Sequence, residues 1–115
     1  MYQQGAVSKM IPQITPTELK QRLDRGDDLF LLDVREPHER EICTIGGELI
    51  PKGEVGLHID RLPRDKEIVV YCRSGGRSQA VAQELYINHG FRNVSNLSGG
   101  VLRWSDDVDP SVTKY

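Results

Sequence analysis

The sequence predicts a small α/β domain, a parallel sheet of about five strands with helices on both faces. Three observations predict it. Apolar runs at 29–34 and 68–71 alternate with segments of helical spacing at 16–25 and 78–89. Both runs are nearly continuous in Leu, Val, Ile or aromatic residues, the pattern of strands covered on both faces. Each run then breaks off, into charge after Leu32 and into a Gly- and Arg-rich loop after Tyr71. Open α/β sheets place their ligands at such carboxyl ends.

Size and charge narrow the class. A chain of 115 residues with 37% apolar content suffices for one core and one domain. The net charge is −2 and the basic residues are dispersed, so neither nucleic acid nor an anionic membrane is expected as partner. No apolar run approaches the roughly 20 residues needed to span a bilayer. The start of the chain lacks the apolar stretch of a secretory signal. Two cysteines, Cys43 and Cys72, are too few for a disulfide scaffold, and His38, His58 and His89 show no metal-type spacing with them. The expectation is a reducing, cytoplasmic setting without metal or cofactor.

Taken in order, residues 1–10 lack periodicity and read as a flexible leader or linker, leaving 11–115 as the domain. Residues 11–14 suit an edge strand, the one place a sheet tolerates Pro12. Thr15, Pro16 and Glu18 form a capping box with proline at the first helical position, Leu19 and Leu23 share a face, and Gly26 ends the helix. The run at 29–34 is a buried strand, and a short helix at about 37–42 follows it. Gly46-Gly47 is a turn, and 48–51 is a short strand. Residues 53–62 are ambiguous between a short helix and irregular chain. The run at 68–71 is the second buried strand. The best helix, 78–89, carries Ala80, Val81, Ala82, Leu85 and Ile87 and stops at Gly90. Residues 94–97 form a last strand, Gly99-Gly100 turns into a helix with Val101, Leu102 and Trp104 inward, and 106–115 is a polar tail.

The chemistry concentrates in Cys72-Arg73-Ser74-Gly75-Gly76-Arg77-Ser78. A strand ends on a thiol and a helix opens a few residues later. The helix N-terminus brings partial positive charge, the glycines let loop amides turn inward, and Arg73 and Arg77 add full charge. The spacing is Cys-x4-Arg. A phosphatase loop, built around a tetrahedral phosphate, is one residue longer; the shorter loop suits a persulfide, whose outer sulfur is one atom beyond the thiolate. A cysteine at a strand end can also be a small buried hydrophobe, but core packing does not ask for flanking arginines and glycines. Cys43 has no such loop and reads as packing. The histidines read as surface residues, and the charge run at 24–28 as a solvated helix end.

These residues carry a resemblance. Asp33-Val34-Arg35-Glu36-Pro37-x-Glu39, Ile50-Pro51, the cysteine loop with Val70 and Tyr71 before it, and Leu97-Ser98-Gly99-Gly100-Val101-x-x-Trp104 together resemble a rhodanese domain over about residues 14–104. The resemblance implies a sulfurtransferase. Cys72 is then the nucleophile and persulfide carrier, the amides of residues 73–78 cradle the outer sulfur, and Arg73 and Arg77 bind an anionic donor. Asp33 and Arg35 fall on the family's Asp-Val-Arg motif, a supporting element. One departure is Cys43-Thr44-Ile45-Gly46-Gly47, where the family often has His-Ile-x-Gly-Ala, and this alters the pocket wall. The tail with Asp109-Pro110 is similar to rhodanese domains fused to adenylyltransferases of the molybdopterin and thiamine pathways. That implies a small sulfur-carrier protein as acceptor, while the rhodanese resemblance implies thiosulfate or a protein persulfide as donor. The competing readings are a cysteine phosphatase or arsenate reductase on the same fold, and a non-catalytic docking domain.

Overall fold

A computed structural model describes residues 10–115; apart from Met10, the expected leader lies outside them. In chain order the elements are β1 (Gln13–Ile14), α1 (Pro16–Asp24), β2 (Leu29–Asp33), α2 (Pro37–Ile42), β3 (Glu48–Leu49), 3-10 turns at Lys52–Leu57 and Ile59–Arg61, β4 (Glu67–Tyr71), α3 (Gly76–His89), β5 (Val94–Leu97) and α4 (Gly100–Asp107). The five strands form one parallel sheet in the order β1-β5-β4-β2-β3. No helix among the described residues is long and apolar enough to cross a membrane.

β4 is central because its residues have apolar partners on both sides. Strand side chains alternate between faces. Ile68, Val70 and Cys72 point into a cluster with Val81, Ala82 and Leu85 of α3 and Val55 of the 3-10 segment. Val69 and Tyr71 point into a second cluster, with Leu19 of α1 and Val101 and Trp104 of α4. Helices thus cover both faces of the sheet. Cys72 sits one residue past the end of β4, on the α3 side.

Local chemistry places the other ends. Thr15 and Glu18 make the expected capping box on α1, with Pro16 at the first helical position. A second capping box starts α2, where the Glu39 carboxylate accepts the Glu36 N–H at 2.9 Å. β1 is a two-residue edge strand against β5.

Three expectations need revision. α3 starts at Gly76, not Ser78, because Gly75 caps it from a left-handed conformation that the loop's tight turn imposes. Residues 53–62 resolve into 3-10 turns between glycines and Pro63. The polar tail folds back: Val108, Val112 and Tyr115 pack on the α1/α4 cluster, and Ser105 Oγ donates to the Val112 carbonyl at 2.7 Å.

Candidate active site

The backbone converges on Cys72. The Gly75 N–H points at Sγ from 3.1 Å and the Ser78 N–H from 3.4 Å, while Ser78 Oγ lies 3.3 Å away. These are the first amides of α3, so its positive end also faces the sulfur. The geometry requires a glycine at position 75, where φ is +104°. The thiol side chain is buried, whereas Arg73, Ser74 and Gly76 are exposed around it.

A second helix start braces the loop from below. The Val101 N–H donates to the Cys72 carbonyl at 3.0 Å, and the Leu102 N–H to the Arg73 carbonyl at 3.1 Å. Gly100, at φ +59°, lies so close that a Cβ there would overlap both carbonyl oxygens' neighbourhood. The sequence marks Gly99-Gly100 as a turn; its part in holding the loop comes only from this close approach.

Ser78 continues into a polar chain. Its hydroxyl donates to Asn96 Oδ1 at 2.5 Å, Asn96 Nδ2 donates to Gln13 Oε1 at 2.9 Å, and Gln13 Nε2 to Gln79 Oε1 at 2.7 Å. Gln13, Gln79 and Asn96 line an open depression of about 470 Å³ together with Ser74–Gly76, Ser98 and Gly99. Asn96 is buried on β5 and carries no sequence motif that would mark it.

The arginines divide. Arg77 grips both oxygens of Glu39 at 2.7 Å. Glu39 is nearly buried, and Tyr115 donates its hydroxyl to Oε1 at 2.9 Å. Arg77, the Glu36 N–H and the Tyr115 hydroxyl together hold the Glu39 carboxyl down at about 2, against some opposition from burial. The same pairing raises Arg77 above its ordinary value. Arg73 instead lays its guanidinium over the Tyr115 ring, 5.0 Å from the centroid.

Asp33 and Arg35 form a fully buried pair at the end of β2. Arg35 Nε and Nη2 donate to the two Asp33 oxygens at 2.9 Å each. Burial opposes the Arg35 charge, but Asp33 and the Tyr115 oxygen more than restore it. Arg35 also donates to the Cys43 carbonyl at 2.9 Å, the Glu39 carbonyl at 3.3 Å and the Tyr115 hydroxyl at 3.1 Å. The Tyr71 hydroxyl lies 3.1 Å from Asp33 Oδ2 and 2.6 Å from the Gly46 carbonyl. The pair thus ties β2, the 43–46 loop and the folded tail together, beside the cysteine loop and not in contact with the sulfur. Two residues of this region carry more than their sequence signal. Glu39 stands in the Asp-Val-Arg motif, but only the fold reveals that its cation is Arg77. Tyr115, in the stretch expected to be a polar tail, bridges Arg35 and Glu39.

Residues 15–107 match the family described as Rhodanese-like domain. The chain is 40% identical over 105 residues to the probable adenylyltransferase/sulfurtransferase MoeZ of Mycobacterium tuberculosis, a match covering 89% of this chain but 26% of MoeZ. It is 34% identical to a sulfurtransferase of Allochromatium vinosum, over 90% of this chain and 96% of that protein. Among solved structures, a rhodanese-related protein from Thermoplasma volcanium aligns with a TM-score of 0.73 at 28% identity, covering 84% of this chain and 93% of that one.

Proposed function

The chain belongs to the rhodanese-like domain family, and on that premise we propose that it is a sulfurtransferase carrying sulfane sulfur as a persulfide on Cys72. One observation carries the reading: the Gly75 and Ser78 amides and the start of α3 converge on Sγ. Donors fixed in this way stabilise negative charge on sulfur without reorganising. They serve the thiolate first, and the terminal persulfide sulfur afterwards, with the remaining amides of residues 73–78 around it.

The chemistry is a pair of displacements at sulfur. The Cys72 thiolate attacks the sulfane sulfur of the donor; a Cys72 S–S bond forms, the donor's bond breaks, and its electron pair leaves on the donor remnant, sulfite when the donor is thiosulfate. An acceptor nucleophile then attacks the outer sulfur and Cys72 departs as thiolate. Asp33 and Arg35 act as support by fixing the end of β2 next to the loop. The relatives joined to adenylyltransferases and the relative named a putative sulfur carrier protein favour a small activated carrier protein as acceptor, in a reducing cytoplasmic setting. A phosphatase is disfavoured because the loop is one residue shorter than a phosphate cradle and Arg77 is already paired with a carboxylate.

The test is direct. Thiosulfate should add the mass of one sulfur atom to Cys72, and cyanide should remove it as thiocyanate. A Cys72 that stays unmodified with thiosulfate and with a protein persulfide alike would refute the proposal.

A further inference from the structure

We propose that Glu39 sets the donor specificity of the loop: by neutralising Arg77 it disfavours dianionic donors such as thiosulfate and favours donors bearing one negative charge, such as a persulfide. The inference rests on the sulfur-transfer reading above and adds the class of donor to it.

Most of the positive charge around the sulfur is already matched. Arg35 is matched by Asp33 at 2.9 Å with both side chains buried, and Arg77 is matched by Glu39 at 2.7 Å. Arg40 lies 3.4 Å from the same Asp33. Among the described residues, Arg73 alone of the two loop arginines has no carboxylate partner, and its guanidinium rests on the Tyr115 ring. Of the two loop arginines, the cationic charge left for a donor is therefore about that of one.

Arg77 is also not free to swing toward a ligand. Glu39 is fixed at both oxygens, by the Glu36 N–H and by the Tyr115 hydroxyl. Leaving it would strand a nearly buried carboxylate, which is strongly unfavourable. Because the Glu39 carboxyl is held at about 2, it stays ionised and the neutralisation persists through the neutral range. Loop sequence alone suggests two anion-binding arginines; the fold leaves one.

Glu39→Gln removes the charge; its one amide oxygen can keep the Glu36 N–H, while its amide nitrogen faces the Tyr115 hydroxyl, which turns to accept. Two donor pairs differ by one charge at nearly constant shape: thiosulfate against methanethiosulfonate for sulfur loading, and sulfate against methanesulfonate for binding without chemistry, followed through the Gly75 and Gly76 amide signals. Glu39→Gln should tighten sulfate binding roughly tenfold, the scale of one charge-assisted hydrogen bond, and leave methanesulfonate within about threefold. The ratio of kcat/KM for thiosulfate over methanethiosulfonate should rise by a similar factor. Sulfate bound no tighter by the variant, or an unchanged donor ratio, overturns the inference. If Glu39→Gln does not fold, Tyr115→Phe, which removes one of the two holds on Glu39, decides with a smaller shift in the same direction. Should the wild type load sulfur from neither donor nor from a protein persulfide, the sulfur-transfer reading falls, and the sulfate arm still decides what Glu39 does.

Discussion

The two cysteines sit in comparable places and in opposite circumstances. Cys72 follows β4 by one residue, and Cys43 follows α2 by one. Judged by the nearest full charge, Cys43 looks better activated, with Arg35 Nη1 at 3.6 Å from its sulfur. Yet that guanidinium is already engaged by Asp33, by two backbone carbonyls and by the Tyr115 oxygen. Cys72 receives neutral amides instead, from Gly75 and Ser78, and at the start of α3 those amides have no helical carbonyl to bond. The contrast is between donors with nothing else to bond, which converge on Cys72, and a nearer cation beside Cys43 that is already engaged.

The largest expected effect divides the two residues outright. Cys72→Ser should lower sulfur loading by roughly a thousandfold or more, as removal of a covalent nucleophile does. Cys43→Ser should stay within about twofold, both read by intact mass after donor treatment. Comparable losses in the two would end the distinction. A smaller effect probes the amides. Gly75→Ala puts a side chain on a backbone at φ +104° and 3.3 Å from the Gly99 nitrogen. Strain of about 1–2 kcal/mol should shift the Gly75 N–H off the sulfur and slow loading about tenfold. Gly46→Ala is the matched control: φ is +97°, with open space around the new Cβ and Cys43 nearby in sequence. It should be destabilised similarly while loading at the wild-type rate per folded molecule.

The sequence carried most of the fold because its signals are local. The apolar runs at β2 and β4, the Thr15–Glu18 capping box and the glycines ending α1 and α3 each act within a few residues. Cys72 and its loop were legible for the same reason, being one contiguous stretch. What stayed hidden depends on contacts across the chain. Glu39 meets Arg77 only because α2 and α3 flank the same sheet edge, and Tyr115 reaches them only because the tail folds over α4. Helical apolar spacing begins only at Ser78, whereas the helix geometry begins at Gly76, after a left-handed Gly75 that allows the tight entry.

The subtlest test separates the surroundings of the two sulfurs by acid. Glu39 titrates near 4.5 in the unfolded chain and about 2 in the folded one. A carboxyl with a depressed folded value stabilises the fold fully above about pH 4.5, and that contribution fades as pH falls toward 2. Because Arg77 is about one-third exposed, solvent screening reduces the effect to an order of 1 kcal/mol. The loss should be local: protonated Glu39 keeps a weaker hold on the start of α2, on Tyr115 and on the Arg77 guanidinium, whereas the backbone of the cysteine loop is held by the α4 amides of Val101 and Leu102. Amide exchange protection over residues 36–43 should fall about fivefold between pH 5 and pH 2.5, while the Ser78 amide, whose neighbours are Cys72 and Asn96, keeps its protection. Glu39→Gln should remove the acid dependence over 36–43. Equal loss at both places would mean that the charged knot and the cysteine loop open as one unit, and the sulfur cradle would then depend on Glu39 for its shape as well as for its charge.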